Sequence, residues 1–220
     1  MTGNEAIDLF NSRYEFMASQ NAPGFTDDEI LDLINEAVYE FISQKAFGNN
    51  LYRTGFEHSA KRVDDLERLI KDENVTTNIT SHSVFVNVRL ITLPTDFLYH
   101  VETYSTLDSD KNFAADLIMH KDIKNLIRTE VNIPWIEQPK VFIEDRKLNL
   151  IFDDTDYTNV SSVLLTYIKT PDVIVASNVD IVDFSDSAMR EIVRLAYYNA
   201  TVDGVPNKVQ LSNDQLNKSE

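Results

Sequence analysis

Glu29, Asp32, Glu36 and Glu40 are the residues of this chain whose type and spacing first suggest chemistry. Carboxylates repeated along a helix bridge metal ions when they point into a bundle core as Glu-x-x-His with like partners on other helices. None of the four histidines, His58, His82, His100 and His120, stands three residues after a Glu. At about 100° per residue the four acids gather opposite Ile30, Ile34, Ala37, Val38 and Phe41. The spacing therefore predicts the wet side of an amphipathic helix, facing solvent or a partner, and makes the four acids candidate interface residues.

Two acid-rich stretches invite a calcium reading. LDSDKNF presents Asp108, Asp110 and Asn112, but a calcium loop needs Gly at its sixth position and Glu at its twelfth, where Phe113 and Met119 stand. FDDTDYTN offers Asp154 and Asp156, with Asn159 sixth and Leu165 twelfth. Both read as polar connections, in which Asp and Asn bond their own backbone. Glycines at 3, 24, 48, 55 and 204 form neither GxGxxG nor a Walker loop, and GxSxG and HExxH are missing. Without cysteine there is no disulfide framework, thiolate nucleophile or zinc-thiolate site. The expectation is no enzyme, no cofactor and no metal. A rival reading is a metal-dependent hydrolase using Asp108, Asp110, Asp153, Asp154 or Asp156.

IPWIEQPKVFIEDRKLNLIFD carries a different signal. Trp135, the single tryptophan, lies between Pro134 and Pro139 just before a hairpin pattern. An aromatic on a stiff extended segment suits anchoring in a partner's pocket. It equally suits covering one end of a sheet. Pro134, Trp135 and Pro139 join the candidate interface.

These groups need elements to hold them. Ile7, Phe10, Tyr14 and Met17 recur at helical steps over about 4–19. Thr26 and Glu29 form a capping box, with Phe25 and Ile30 as its staple and Gly48 as a stop, so a second helix starts at Thr26. A third is expected from about 56 to 72, with Ala60, Val63, Leu66 and Leu69 or Ile70 inside. The period then changes to two: Val84, Val86, Val88 and Leu90 alternate with polar residues. Further strands are predicted at 101–107, 112–119, 141–144, 148–152 and 163–169, with a short helix at 122–129. Asp145-Arg146-Lys147 joins a hairpin. Ser185 caps a last helix to about Asp203, with Phe184 and Met189 as staple and Ile192, Val193, Ala196 and Ala200 inside; Gly204 and Pro206 stop it. The fold class is α+β: N-terminal helices and a returning C-terminal helix form a helical bundle, with an antiparallel β block inserted between them. The divisions are 1–73 helical, 74–183 β-rich, 184–203 the packing helix and 204–220 a polar tail.

With 220 residues and 43% hydrophobic content the chain can bury a sizeable core. A net charge of −16 opposes a nucleic-acid groove or adhesion to an anionic membrane, both of which draw affinity from Lys and Arg. The opening MTGNEAIDLF has no signal-peptide pattern, and no apolar run is long enough to span a bilayer, so synthesis in a cytoplasm is expected.

Three phrases, INEAVYEFI, ITLPTDFLYHVETYSTL and PWIEQPKVFIEDRKLNLIFD, together resemble the ring-forming head-to-tail connector, or adaptor, proteins of tailed bacteriophages, especially crAss-like phages. The likeness spans most of residues 25–203. It implies a virion structural protein at the portal vertex, in a ring of usually twelve copies, bridging the portal and further tail or connector proteins. Genomic DNA would pass through the channel without specific binding, and no catalytic residue carries over. In that family's phrase Leu93, Phe97 and Tyr99 are expected to be structural. Acidic walls suit a channel that must not grip phosphate. Another virion component, such as a head-completion, tail-tube or capsid-decorating protein, is the alternative.

Overall fold

The computed structural model describes residues 1–17, 24–47, 60–76, 79–81, 87–107, 112–127, 133–135, 137–153 and 160–202. Within them the chain is α+β and divides into two compact units, Met1–Leu69 with Pro171–Glu220, and Ile70–Thr170.

The first unit contains α1 (Gly3–Met17), α2 (Asp27–Phe47), α3 (Ala60–Leu66) with a 3-10 turn (Glu67–Leu69), and α5 (Asp186–Val202), and α3 packs on α2. Local signals start the long helices. The Thr26 amide donates to Glu29 Oε2 at 2.8 Å and the Glu29 amide to Thr26 Oγ1 at 3.4 Å, the reciprocal bonds of a capping box. Thr2 and Glu5 repeat the device on α1, and Ser185 Oγ accepts the Ala188 amide at 3.2 Å to open α5. Both α1 and α2 pack against α5. Ile30, Ile34, Ala37, Val38 and Phe41 are buried as their spacing predicts, and so are Met189, Ile192, Val193 and Ala196 of α5. The expected stops at Gly48 and Gly204, and the tail 204–220, lie outside the described residues.

The third helix departs from expectation twice. It does not run to 72, because Ile70 already pairs with Ile168 in a sheet: a long-range ladder overrides a local apolar period. It is also turned. Ala60 and Val63 face out, while Arg62, Asp65 and Leu66 are buried. Asp65 goes inside because Lys45 of α2 is there to meet it.

A strap of irregular chain, 171–185, fastens this unit. Asn35 mimics a strand neighbour, accepting the Ile174 amide at 2.9 Å on Oδ1 and donating from Nδ2 to the Ile174 carbonyl at 3.0 Å. Asp183 Oδ2 accepts the Asp172 amide at 2.7 Å, and Arg68 donates to the carbonyls of Val182 and Phe184. Gly3 sits against the strap so closely that a Cβ there would lie 1.9 Å from the Val175 carbonyl oxygen, a backbone atom that cannot swing aside. Gly3→Ala is therefore expected to destabilise by about 1–3 kcal/mol, the range for overpacking a tight site, measured by urea unfolding.

The second unit is β-rich. One sheet has the order β1-β9-β4-β5, from β1 (Ile70–Val75), β9 (Val160–Lys169), β4 (Phe97–Leu107) and β5 (Asn112–Ala114). The other has the order β2-β3-β8-β7-β6, from β2 (Ile79–Ser81), β3 (Val88–Thr92), β8 (Lys147–Ile151), β7 (Lys140–Glu144) and β6 (Asp116–Leu117). Val84 and Val86 lie outside the described residues. The sheets pack face to face, burying Ile91, Val141, Leu148 and Leu150 against Val163, Leu165 and Tyr167. Side chains alternate across each strand, so Val88, Phe142 and Ile151 point the other way, onto Ile123 of α4 (His120–Ile127). β8, covered on both faces, is buried from Leu148 to Ile151.

The β block is not wholly antiparallel, since β6 runs parallel to β7. Nor is 112–119 one strand. At Ala115, whose amide donates to the Thr103 carbonyl at 2.8 Å, the chain leaves the first sheet and enters the second. The hairpin turn holds two residues, Asp145 and Arg146 at φ 50° and 57°, with Glu144 opposite Lys147. Two left-handed residues are what a type I′ turn requires.

Candidate functional site

Of the four acids on α2, all are exposed, which settles that they form the helix's wet side. Their roles differ. Glu29 serves the cap, and its hydrogen bonds from Thr26 hold its carboxyl below the usual range. Glu40 accepts hydrogen bonds from Gln44 at 3.1 Å and from Asn199 of α5 at 2.7 Å, so it helps to dock two helices. Asp32 and Glu36 are left facing outward, together with Asp27 and Asp28 of the first turn.

In the second unit Pro134 and Pro139 are buried, yet Trp135 between them is 78% exposed. The backbone that carries it is tied down at three points. The Asp153 amide donates to the Pro134 carbonyl at 2.9 Å, the Gln138 amide to the Trp135 carbonyl at 2.8 Å, and the Asp116 amide to the Pro139 carbonyl at 3.0 Å. Trp135 therefore does not cap the sheet; it is displayed on a fastened bend. Leu117 and Met119, on and just beyond the edge strand β6, are also exposed, at 55% and 67%. On the first unit the strap shows Val173, Val175, Val179 and Val182 outward. Single exposed apolar residues need no explanation, but a strap that turns four valines to water, and a tryptophan on a pinned bend, have the character of contact surface.

Asp96, in the phrase LPTDFLY, organises a polar junction. Its carboxylate accepts from Lys71 Nζ at 2.7 Å and from the Tyr167 hydroxyl at 2.9 Å, and its carbonyl accepts the Thr170 amide at 2.6 Å. The hydrogen bond from Lys71 is the main reason its carboxyl lies below the ordinary range, while burial and Asp96 together push the Tyr167 phenol well above its own. Leu93 is buried and its amide donates to the Arg146 carbonyl at 3.2 Å; Phe97 packs at 5.6 Å, ring to ring, on Tyr167. The phrase thus locks β1, β9 and the hairpin turn together. Both carboxylate oxygens of Asp96 are engaged there, and His100, four residues on, bonds Thr103 at 2.8 Å.

One charged cluster in the first unit was not foreseen. Lys45 Nζ, nearly inaccessible, lies 3.4 Å from Asp65 Oδ2 and 3.3 Å from Glu191 Oε2, and Lys61 pairs with the other oxygen of Glu191. Burial drives the Asp65 carboxyl above its usual pKa, against the pull of Lys45. The cluster staples α2, α3 and α5.

No protein-family model matches the chain, and no curated protein sequence matches it. Among the described residues no three His, Asp or Glu side chains gather to hold a metal ion, and no helix is long and apolar enough to cross a membrane. Of the five acids of the hydrolase reading, Asp108, Asp110, Asp154 and Asp156 lie outside the described residues. Asp153 lies beside the Trp135 bend, where its amide holds Pro134.

Proposed function

We propose that this chain is a structural subunit of a bacteriophage head-to-tail connector ring, joining copies of itself below the portal and bridging the portal to the tail. The reading rests on the resemblance of its three phrases to that family, and the observation that carries it furthest is Trp135, an exposed aromatic on a bend that hydrogen bonds hold in place. A preorganised aromatic anchor loses little entropy on docking and serves as a centre of binding energy. Exposed valines on the strap of the first unit add a second, chemically different patch. Rings close through heterologous contacts, in which one patch meets a different patch on the neighbour. Asp27, Asp28, Asp32 and Glu36 supply negative charge that repels DNA phosphate and keeps a passing genome from sticking.

In this reading the protein works by shape and contact, in the virion at the portal vertex, without cofactor or turnover. The test is co-assembly of the purified chain with portal protein, followed by electron microscopy and light scattering. A ring on the portal is expected. A chain that stays monomeric at high concentration and has no affinity for portal would overturn the assignment. Trp135→Ala should leave the unfolding midpoint within the ordinary surface range of about ±0.5 kcal/mol, yet weaken assembly by roughly tenfold or more, the size of a truncated interface anchor.

A further inference from the structure

Thr103 of β4 sits where the second unit passes from one sheet to the other. Its carbonyl accepts, at 2.8 Å, the amide of Ala115, the residue at which the chain crosses. The next amide, that of Asp116, donates to the Pro139 carbonyl at 3.0 Å, and the Gln138 amide beside Pro139 donates to the Trp135 carbonyl at 2.8 Å. An unbroken line of hydrogen bonds and peptide links thus runs from the middle of β4 to the displayed tryptophan. Thr103 itself is fully buried, and its Oγ1 lies 2.8 Å from Nε2 of His100. The β4–β9 register shifts between His100 and Glu102, and that one extra residue lets His100 and Thr103 share a face.

A fully buried hydroxyl must place its hydrogen on an acceptor, and Nε2 of a neutral imidazole is one. In imidazolium both ring nitrogens donate, so protonation turns the Thr103 hydroxyl away from its partner. The surroundings oppose the charge as well. Burial lowers the His100 pKa below its ordinary 6.5, against the pull of Glu102 on the same strand. Across the ladder β9 presents Tyr167, whose hydroxyl is taken by Asp96 and Glu73, while β5 carries only Asn112, Phe113 and Ala114. The opposing sheet turns the uncharged Ile91, Val141, Leu148 and Leu150 toward this core. We propose that the His100–Thr103 pair is a proton-sensitive latch that holds the bend displaying Trp135. With His100 neutral, Thr103 and the crossing at Ala115 are fixed; once His100 is protonated the crossing loosens and the bend gains motion. Because its folded pKa lies below the unfolded one, His100 contributes stability that is present above 6.5 and is lost as pH falls through the folded value. The bearing of the latch on assembly rests on the reading of Trp135 as a contact anchor. The coupling itself is measured on the free chain, without portal, and stands or falls separately from that reading.

Trp135 is the single tryptophan, so the fluorescence anisotropy of the full chain reports on the bend directly. The experiment follows it from pH 8 to pH 5 in wild type, His100→Gln, Thr103→Val and His120→Gln. A fall in anisotropy setting in below pH 6.5 is expected in wild type and in His120→Gln, and its loss in His100→Gln and Thr103→Val. Thr103→Val keeps the side-chain volume and removes the hydroxyl, so it carries the test even if His100→Gln does not fold. A flat wild-type profile, an undiminished fall in His100→Gln or Thr103→Val, or its disappearance in His120→Gln overturns the proposal. Far-ultraviolet circular dichroism that collapses together with the anisotropy means global unfolding, and overturns it too.

Discussion

Lys45→Met is expected to destabilise the protein by about 3–5 kcal/mol at pH 7, the usual effect of removing one member of a buried ion pair. The methionine keeps the stem that packs beneath the charge, so the loss reports the charge itself. What makes it large is the partner left behind: Asp65 is 2% exposed, and Lys45 is the ammonium at its carboxylate. At 3.4 Å the contact is long for a hydrogen bond, so much of the effect is the penalty of a stranded carboxylate and not the strength of the pair. Two further measurements separate those terms. Lys45→Met combined with Asp65→Leu should recover most of the loss, because apolar replacement of a whole buried pair is often neutral or stabilising. Acid should also narrow the gap between Lys45→Met and wild type. A carboxyl whose folded pKa is raised holds its proton more tightly folded than unfolded. Its contribution is therefore fully present below the unfolded value near 3.8, and is lost as pH rises through the folded value. Unfolding curves between pH 4 and 8 read this directly; a gap that widened on acidification would refute the assignment.

Phe10→Ala is the second large effect, with an expected loss of about 3–5 kcal/mol and a cavity between helices. Phe10 is fully buried, and its ring lies edge-on to Phe25 at 5.8 Å and to Tyr197 at 6.1 Å. It therefore joins α1 to α5 and to the residue leading into α2. Tyr14 stacks edge-on to the same Phe25 at 5.1 Å, which leaves part of the aromatic cluster in place. Phe10→Leu should cost roughly 1–2 kcal/mol, since most of the volume survives but both edge contacts go. In urea the midpoint should fall in the same order with an unchanged slope.

What could be read from sequence was what is decided locally. Thr26 and Glu29 specify their cap within four residues, and Asp145-Arg146-Lys147 marks a hairpin between two apolar runs, although the turn itself holds only Asp145 and Arg146. Long-range decisions were illegible. Arg62 and Asp65 look like the outer face of a helix until Lys45 and Glu191, distant in sequence, are placed beside them. Ile70 extends a helical period until β9 claims it. The break at Ala115 carries no Gly or Pro to mark a change of sheet. For the site, the exposure of the α2 acids followed from periodicity, whereas Trp135 was undecided because a tryptophan between prolines suits both a lid and a display.

The chain enters the second unit at Ile70 and leaves it after Thr170, and those two ends lie side by side because Ile70 and Ile168 face each other in the ladder. A segment of this kind behaves as a cassette. Its host sees two neighbouring splice points and not a hundred residues, so the entropic cost of closing the gap hardly depends on what is spliced in. The sandwich can therefore be exchanged, shortened or elaborated, and the displayed Trp135 with it, without redesigning the helical unit.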